Sequence, residues 1–204
     1  MKIDLINKNR AVSKGLSGIK NYPILPTGYT ELDQYLPGGG WPLGTLIEIL
    51  IRRMEEVPLW LIIPALQQLN NDSRWQAWIS PIHIPYAPAL MSAGIDLSKV
   101  LILNPPTHKD VVWTIEQCLS SGVCSAVIFW LQTLTNKNSR RFKLAAKHGD
   151  SWGICFCLLD HAQHETVSSL KLSYRPTRHG ADINILRCTG KKPNKNLQIN
   201  RTIT

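Results

Sequence analysis

Leu36-Pro-Gly-Gly-Gly-Trp-Pro-Leu-Gly44 runs straight into Thr45-Leu-Ile-Glu-Ile-Leu-Ile51, and this junction decides how the rest of the chain is read. The first part is a sharp turn. The second reads as a strand that is apolar on both faces apart from Glu48, the pattern of a strand covered by helices on each side. Upstream, Thr27 to Asp33 predicts a short helix with Thr27 as its N-cap. Downstream, helix and strand patterns alternate. Helices are expected over 58–70 (kinked or restarted at Pro64), 85–93, 108–121 and 138–147. Strands are expected over 74–80, 99–104, 125–131 and 152–159. Strands alternating with helices of this length build βαβ units and a mostly parallel sheet. The last two strand patterns, 169–175 and 183–188, have no helix between them, so they predict an antiparallel hairpin at the sheet edge.

At 204 residues the chain is long enough for one domain with a core that needs no disulfides or metal. Hydrophobic residues make up 44% and charged residues 18%, which excludes a disordered chain. No apolar run approaches the roughly 20 residues that span a bilayer. Residues 1–20 lack the apolar region of a signal peptide. Five irregularly spaced cysteines then suggest reduced thiols, and the expected location is cytoplasmic. The net charge of +9 is concentrated at the ends. Residues 1–20 contribute +4 and residues 187–204 contribute +5, while the 13 basic and 13 acidic side chains of residues 21–186 balance. The expected organisation is a basic N-terminal arm (1–24), a globular domain (25–190) and a basic C-terminal tail (191–204). Arg187, Lys191, Lys192, Lys195 and Arg201 are the candidate contacts for DNA or another polyanion, with weak, salt-dependent binding.

A glycine-rich turn in a βαβ protein raises the question of a nucleotide. A phosphate cradle needs its glycines after the strand, leading into a helix N-terminus. Here they precede it. Ile51-Arg-Arg-Met-Glu-Glu-Val57, which follows, has neither glycine nor a Gly-Lys-Ser/Thr run, and Glu55 and Glu56 would repel a triphosphate. Ile128-Phe-Trp-Leu-Gln132 offers no acid for Mg²⁺. The expectation is therefore a non-enzymatic protein without nucleotide, metal or other cofactor. Asp160-His161-Ala-Gln-His164 carries metal-ligating residue types, but it reads as a polar loop. The basic segment from Lys137 to His148 reads as a solvated helix face, with a phosphate or acidic-protein contact as the functional alternative.

Leu25 to Asp33 together with Leu36 to Ile49 resembles the opening of RecA-type recombinases. The Leu-Pro-Gly-Gly-Gly-Trp-Pro run is most similar to ImuA, the RecA-like accessory protein of SOS translesion synthesis. Leu61 to Pro81, Ala93 to Lys99 and Ala126 to Leu131 resemble the cell-division inhibitor SulA, a RecA-like fold without nucleotide. The resemblance implies a RecA-like three-layer α/β core, with helices on both faces of the sheet and no functional phosphate loop. Where an active RecA core offers a catalytic glutamate after its second strand, this chain has Pro81-Ile-His-Ile84.

Two functions follow from the resemblance. The leading one is an ImuA-like adaptor in error-prone DNA synthesis, with an ImuB-type polymerase-like protein and an error-prone replicative polymerase subunit as partners. The alternative is a SulA-like inhibitor that binds FtsZ and blocks its polymerisation. An ATP-dependent recombinase comes third. The SulA-like partner surface maps onto Arg74, Ile79 and Lys99, while the family's tryptophan on the intervening helix is matched by Ala89. Trp75 and Trp78 stand an odd number of residues apart and so face opposite sides of their strand. One of them is expected at the surface beside Arg74. Arg74, Trp75, Trp78, Ile79 and Lys99 are the candidate partner contacts, and reversing the charges of Arg74 and Lys99 together is expected to leave the melting temperature nearly unchanged.

Overall fold

A computed structural model describes residues 23–161, 165–190 and 195–201. In chain order the elements are β1 (Ile24–Leu25), α1 (Thr30–Asp33), β2 (Trp41–Pro42), β3 (Thr45–Ile51), α2 (Leu59–Gln68), β4 (Trp75–Ile79), α3 (Ala87–Ser92) and β5 (Val100–Leu103). They continue with α4 (His108–Ser120), β6 (Cys124–Leu131), α5 (Asn136–His148), β7 (Trp152–Leu158), β8 (Leu170–Thr177), β9 (Gly180–Cys188) and β10 (Lys195–Asn200). Short 3-10 turns join several of them.

The main sheet has the order β10-β9-β8-β3-β7-β6-β4-β5. From β8 to β5 every pairing is parallel, whereas β8, β9 and β10 pair antiparallel. The fold is thus a mixed α/β architecture with a mostly parallel eight-stranded sheet and an antiparallel C-terminal hairpin. The strand period of two feeds two separate cores. Ile47, Ile49, Trp78, Ile128, Ile154 and Phe156 pack under α2 through Leu61, Ile62 and Leu66. Their chain neighbours Leu46, Leu50, Ile79, Phe129 and Cys155 pack under α4 and α5 through Ile115, Leu119 and Phe142. No helix among the described residues is long and apolar enough to cross a membrane.

Several boundaries differ from the sequence expectation for local reasons. Thr27 does not cap α1. Its hydroxyl bonds the Tyr29 amide at 3.0 Å, its own amide donates to Asp33, and Tyr29 takes the cap position. α5 starts at Asn136, two residues earlier than expected, because Thr135 caps it by accepting from the Asn138 amide at 3.2 Å. The glycine run serves packing. A Cβ on Gly40 would collide with the Leu25 carbonyl, and one on Gly38 with Ile24, so the turn closes the small β1–β2 ladder against its own strand. Trp41 is fully buried there and meets Trp152 with ring centroids 5.8 Å apart. Within the segment read as a basic tail, Lys195–Asn200 forms β10. Leu197 and Ile199 point into the core, and the sheet runs past the expected boundary at residue 190.

Candidate partner-binding surface

The ends of β4 and β5 that begin these strands lie side by side, with Gln76 opposite Val100. Arg74 and Lys99 stand just before these strands, so topology brings the two cations to one end of the sheet, and both converge on Asp72. The Arg74 guanidinium grips the Asp72 carboxylate with Nη2–Oδ2 at 2.8 Å and Nε 3.1 Å from both oxygens. Its Nη1 donates to the Asp150 carbonyl at 2.9 Å and the Gly149 carbonyl at 3.3 Å, just past the C-terminus of α5, where a cation complements the helix dipole. Lys99 Nζ donates to the backbone carbonyl of Asp72 at 2.8 Å and to that of Asn70. Asn70 in turn donates from Nδ2 to Gly94 at 2.7 Å and accepts from the Asp96 amide.

These bonds correct the picture of two free surface cations. Arg74 staples the α2–β4 turn to the end of α5, and Lys99 holds the same turn from the β5 side. The double charge reversal would break this lattice and set two further carboxylates beside Asp72, so a large drop in melting temperature is expected, not an unchanged one. Trp75, 45% exposed, stands at the rim of this end. Trp78 is fully buried against Trp130, and Ile79 lies in the α4–α5 core. Those two tie the strand to both cores and present no surface to a partner. The sequence expectation missed Asp72 and Asn70. The signal was present in Asn70-Asn-Asp-Ser-Arg74, a turn-forming run whose Asp72 carboxylate accepts from the Arg74 amide at 2.9 Å.

Burial raises the Asp72 carboxyl, but the hydrogen bonds and charge of Arg74 outweigh it and hold the group below its ordinary 3.8. A depressed folded-state pKa contributes stability that is complete above the unfolded value and is lost as pH falls through the folded one. Below about pH 4, Asp72→Asn should therefore lose stability less steeply than the parent. Urea melts at about pH 6, 4 and 3 check this, and parallel slopes for the two proteins would refute it.

The other candidates are scattered. Arg187 donates to the Thr166 carbonyl beside β8, Lys195 lies over the Tyr35 ring at 5.2 Å, and the Arg201 amide donates to His179. Lys191 and Lys192 lie outside the described residues, as does most of the arm 1–24. At the end of β3, where a phosphate loop would sit, residues 54–56 form a 3-10 turn tied by Arg53 to Glu56 at 2.7 Å. Among the described residues no group of three His, Cys, Asp or Glu side chains is placed to hold a metal.

The family model described as "Cell division inhibitor SulA" matches residues 44–153, from the turn before β3 into β7. SulA from Photorhabdus laumondii subsp. laumondii is 34% identical over 93 residues, covering 46% of this chain and 52% of that protein. SulA from Yersinia pestis (strain Pestoides F) is 33% identical over 110 residues, 54% of this chain and 66% of that protein. The chain thus spans between about half and two thirds of the length of these relatives. The crystal structure of SulA from Pseudomonas aeruginosa aligns with 55% of this chain and 97% of its own, at 22% identity and a TM-score of 0.47. The family match overturns the expectation of an ImuA-type adaptor, and with it the ImuB-type and polymerase partners. The Leu36–Pro42 run that suggested them lies outside the matched segment and closes the β1–β2 corner. Residues 44–153 are more than half of the 204 residues, and the chain belongs to the SulA cell division inhibitor family.

Proposed function

We propose that this protein inhibits bacterial cell division during the SOS response by binding FtsZ and blocking its polymerisation. The observation that carries the reading is the family match across residues 44–153, which contains the whole β4–α3–β5 unit with Arg74, Trp75 and Lys99. The contact is Trp75 on a rim stiffened by the Arg74–Asp72–Lys99 lattice. A pre-ordered anchor of this kind loses little entropy on binding. The core is RecA-like with a closed phosphate-loop position, and the protein acts by occupancy, not catalysis. The support for this is the element order around β3 and the 3-10 turn at 54–56.

Purified protein added in equimolar amount to FtsZ and GTP should suppress polymer, read by light scattering and by pelleting. Undiminished polymer, with no co-elution of the two proteins on a sizing column, would remove the proposal.

A further inference from the structure

The outer face of the α4–α5 pair carries a surface that the division-inhibitor reading does not use. α5 buries Ser139, Phe142, Ala145 and Ala146. Its opposite face shows Lys137, Arg140, Arg141, Leu144, Lys147 and His148, all exposed. The spacing of three and four residues places these six in one stripe along the helix. The helix holds five Lys/Arg and no acid, although residues 21–186 as a whole balance to zero. Arg141 pairs across to Glu116 on α4, with Nε 3.1 Å from Oε1. Trp113 precedes Glu116 by one turn on the same side of α4, and the residue is 60% exposed. Of the two acids on this side of α4, Glu116 is thus paired with a cation, and Asp110, one turn before Trp113, accepts from the Thr107 hydroxyl at 2.6 Å at the start of the helix. What faces solvent is a tryptophan and a 68% exposed Leu144 set among cations spread over about 15 Å of helix.

From this juxtaposition we infer that the α4–α5 face binds single-stranded nucleic acid, with phosphates along Lys137, Arg140 and Lys147 and a base stacked on Trp113. Cations tracking a backbone beside an exposed aromatic ring form the minimal single-strand platform. An acidic protein segment would need more. Strand addition requires a sheet edge and helix docking requires an apolar groove, and this face presents one ring and one leucine.

The test is fluorescence anisotropy of the full chain with a labelled oligothymidylate of about 20 nucleotides, compared with duplex DNA and polyglutamate of similar length. The expected result is single-strand binding that weakens at least about tenfold between about 50 and 200 mM salt. Lys137→Glu/Arg140→Glu/Lys147→Glu should weaken it at least about tenfold more, and Trp113→Ala by roughly tenfold, with unchanged circular dichroism. Should the triple variant fail to fold, photo-cross-linking of a 5-bromouracil oligonucleotide to the parent decides the question. The cross-link should fall in residues 108–120 or 136–148. No binding, unaltered binding by the folded variants, a cross-link elsewhere, preference for duplex, or equal displacement by polyglutamate each overturns the inference.

Discussion

Lys171→Met should destabilise this protein by roughly 3–5 kcal/mol, the cost of leaving a buried charge without its partner. Glu48 is the one charged residue in β3, and its side chain is 1% exposed. Lys171 is its register neighbour on β8, with Nζ 3.4 Å from Oε2. On the other side, Glu48 is in register with Cys155, whose thiol burial pushes well up, as expected in a dry environment. Glu48 Oε1 has no hydrogen-bond partner among the described residues, so the lysine is its main compensation. Removing the lysine strands the carboxylate. Removing the carboxylate is milder, because Lys171 sits 3.5 Å from the Thr166 hydroxyl and keeps about 10% of its side-chain surface in solvent. A Glu48→Leu/Lys171→Met pair should recover most of the loss, since well-packed apolar residues replace buried ion pairs at little or no cost. For a chain of this size the single variant should melt roughly 10 °C lower. Thermal and urea melts of the two single variants and the double variant form a complete cycle. A Lys171→Met protein within about 1 kcal/mol of the parent would show that the pair contributes little to stability.

The same strand shows what the sequence could and could not display. Its limits, Thr45 to Ile51, follow from the apolar run, which Glu48 alone interrupts with a charge. The identity of its partner is invisible, because Lys171 lies over 120 residues away in a segment that reads simply as a strand. The opposite faces of Trp75 and Trp78 were legible from odd spacing alone, and one ring is half-exposed while the other is buried. β10 was lost to charge counting. Lys195-Asn-Leu-Gln-Ile-Asn200 alternates polar and apolar residues, a strand signal, but its place in a basic terminal segment made it read as a tail. For the candidate surface, sequence could place Arg74 and Lys99 at one end of the sheet. It could not show that both bond the Asn70–Asp72 turn, or that Arg74 also reaches the carbonyls at the end of α5, because that depends on a backbone path set by tertiary contact.

That entanglement determines how the partner surface must be probed. Arg74→Glu would break the Asp72 pair and both carbonyl bonds at the end of α5, and would place a second carboxylate against the first. Lost inhibition in that variant would follow from a damaged fold as readily as from a lost contact. Trp75 separates the two. The residue is 45% exposed, and the bonds that fix β4 there use its backbone, the amide donating to Val123 and the carbonyl accepting from Ser125. Trp75→Ala keeps those bonds and should cost no more than about 1 kcal/mol of stability. If Trp75 anchors FtsZ, truncation should cost at least about 2 kcal/mol of binding, close to a thirtyfold loss. The amount of protein needed to halve FtsZ polymer should rise accordingly, while the melting temperature moves only a few degrees. Trp75→Phe, which keeps a ring at the rim, should recover part of the affinity. A Trp75→Ala protein that inhibits within about twofold of the parent would move the contact off this end of the sheet. The exposed Ile84, Tyr86 and Met91 around α3 would then be the next surface to substitute.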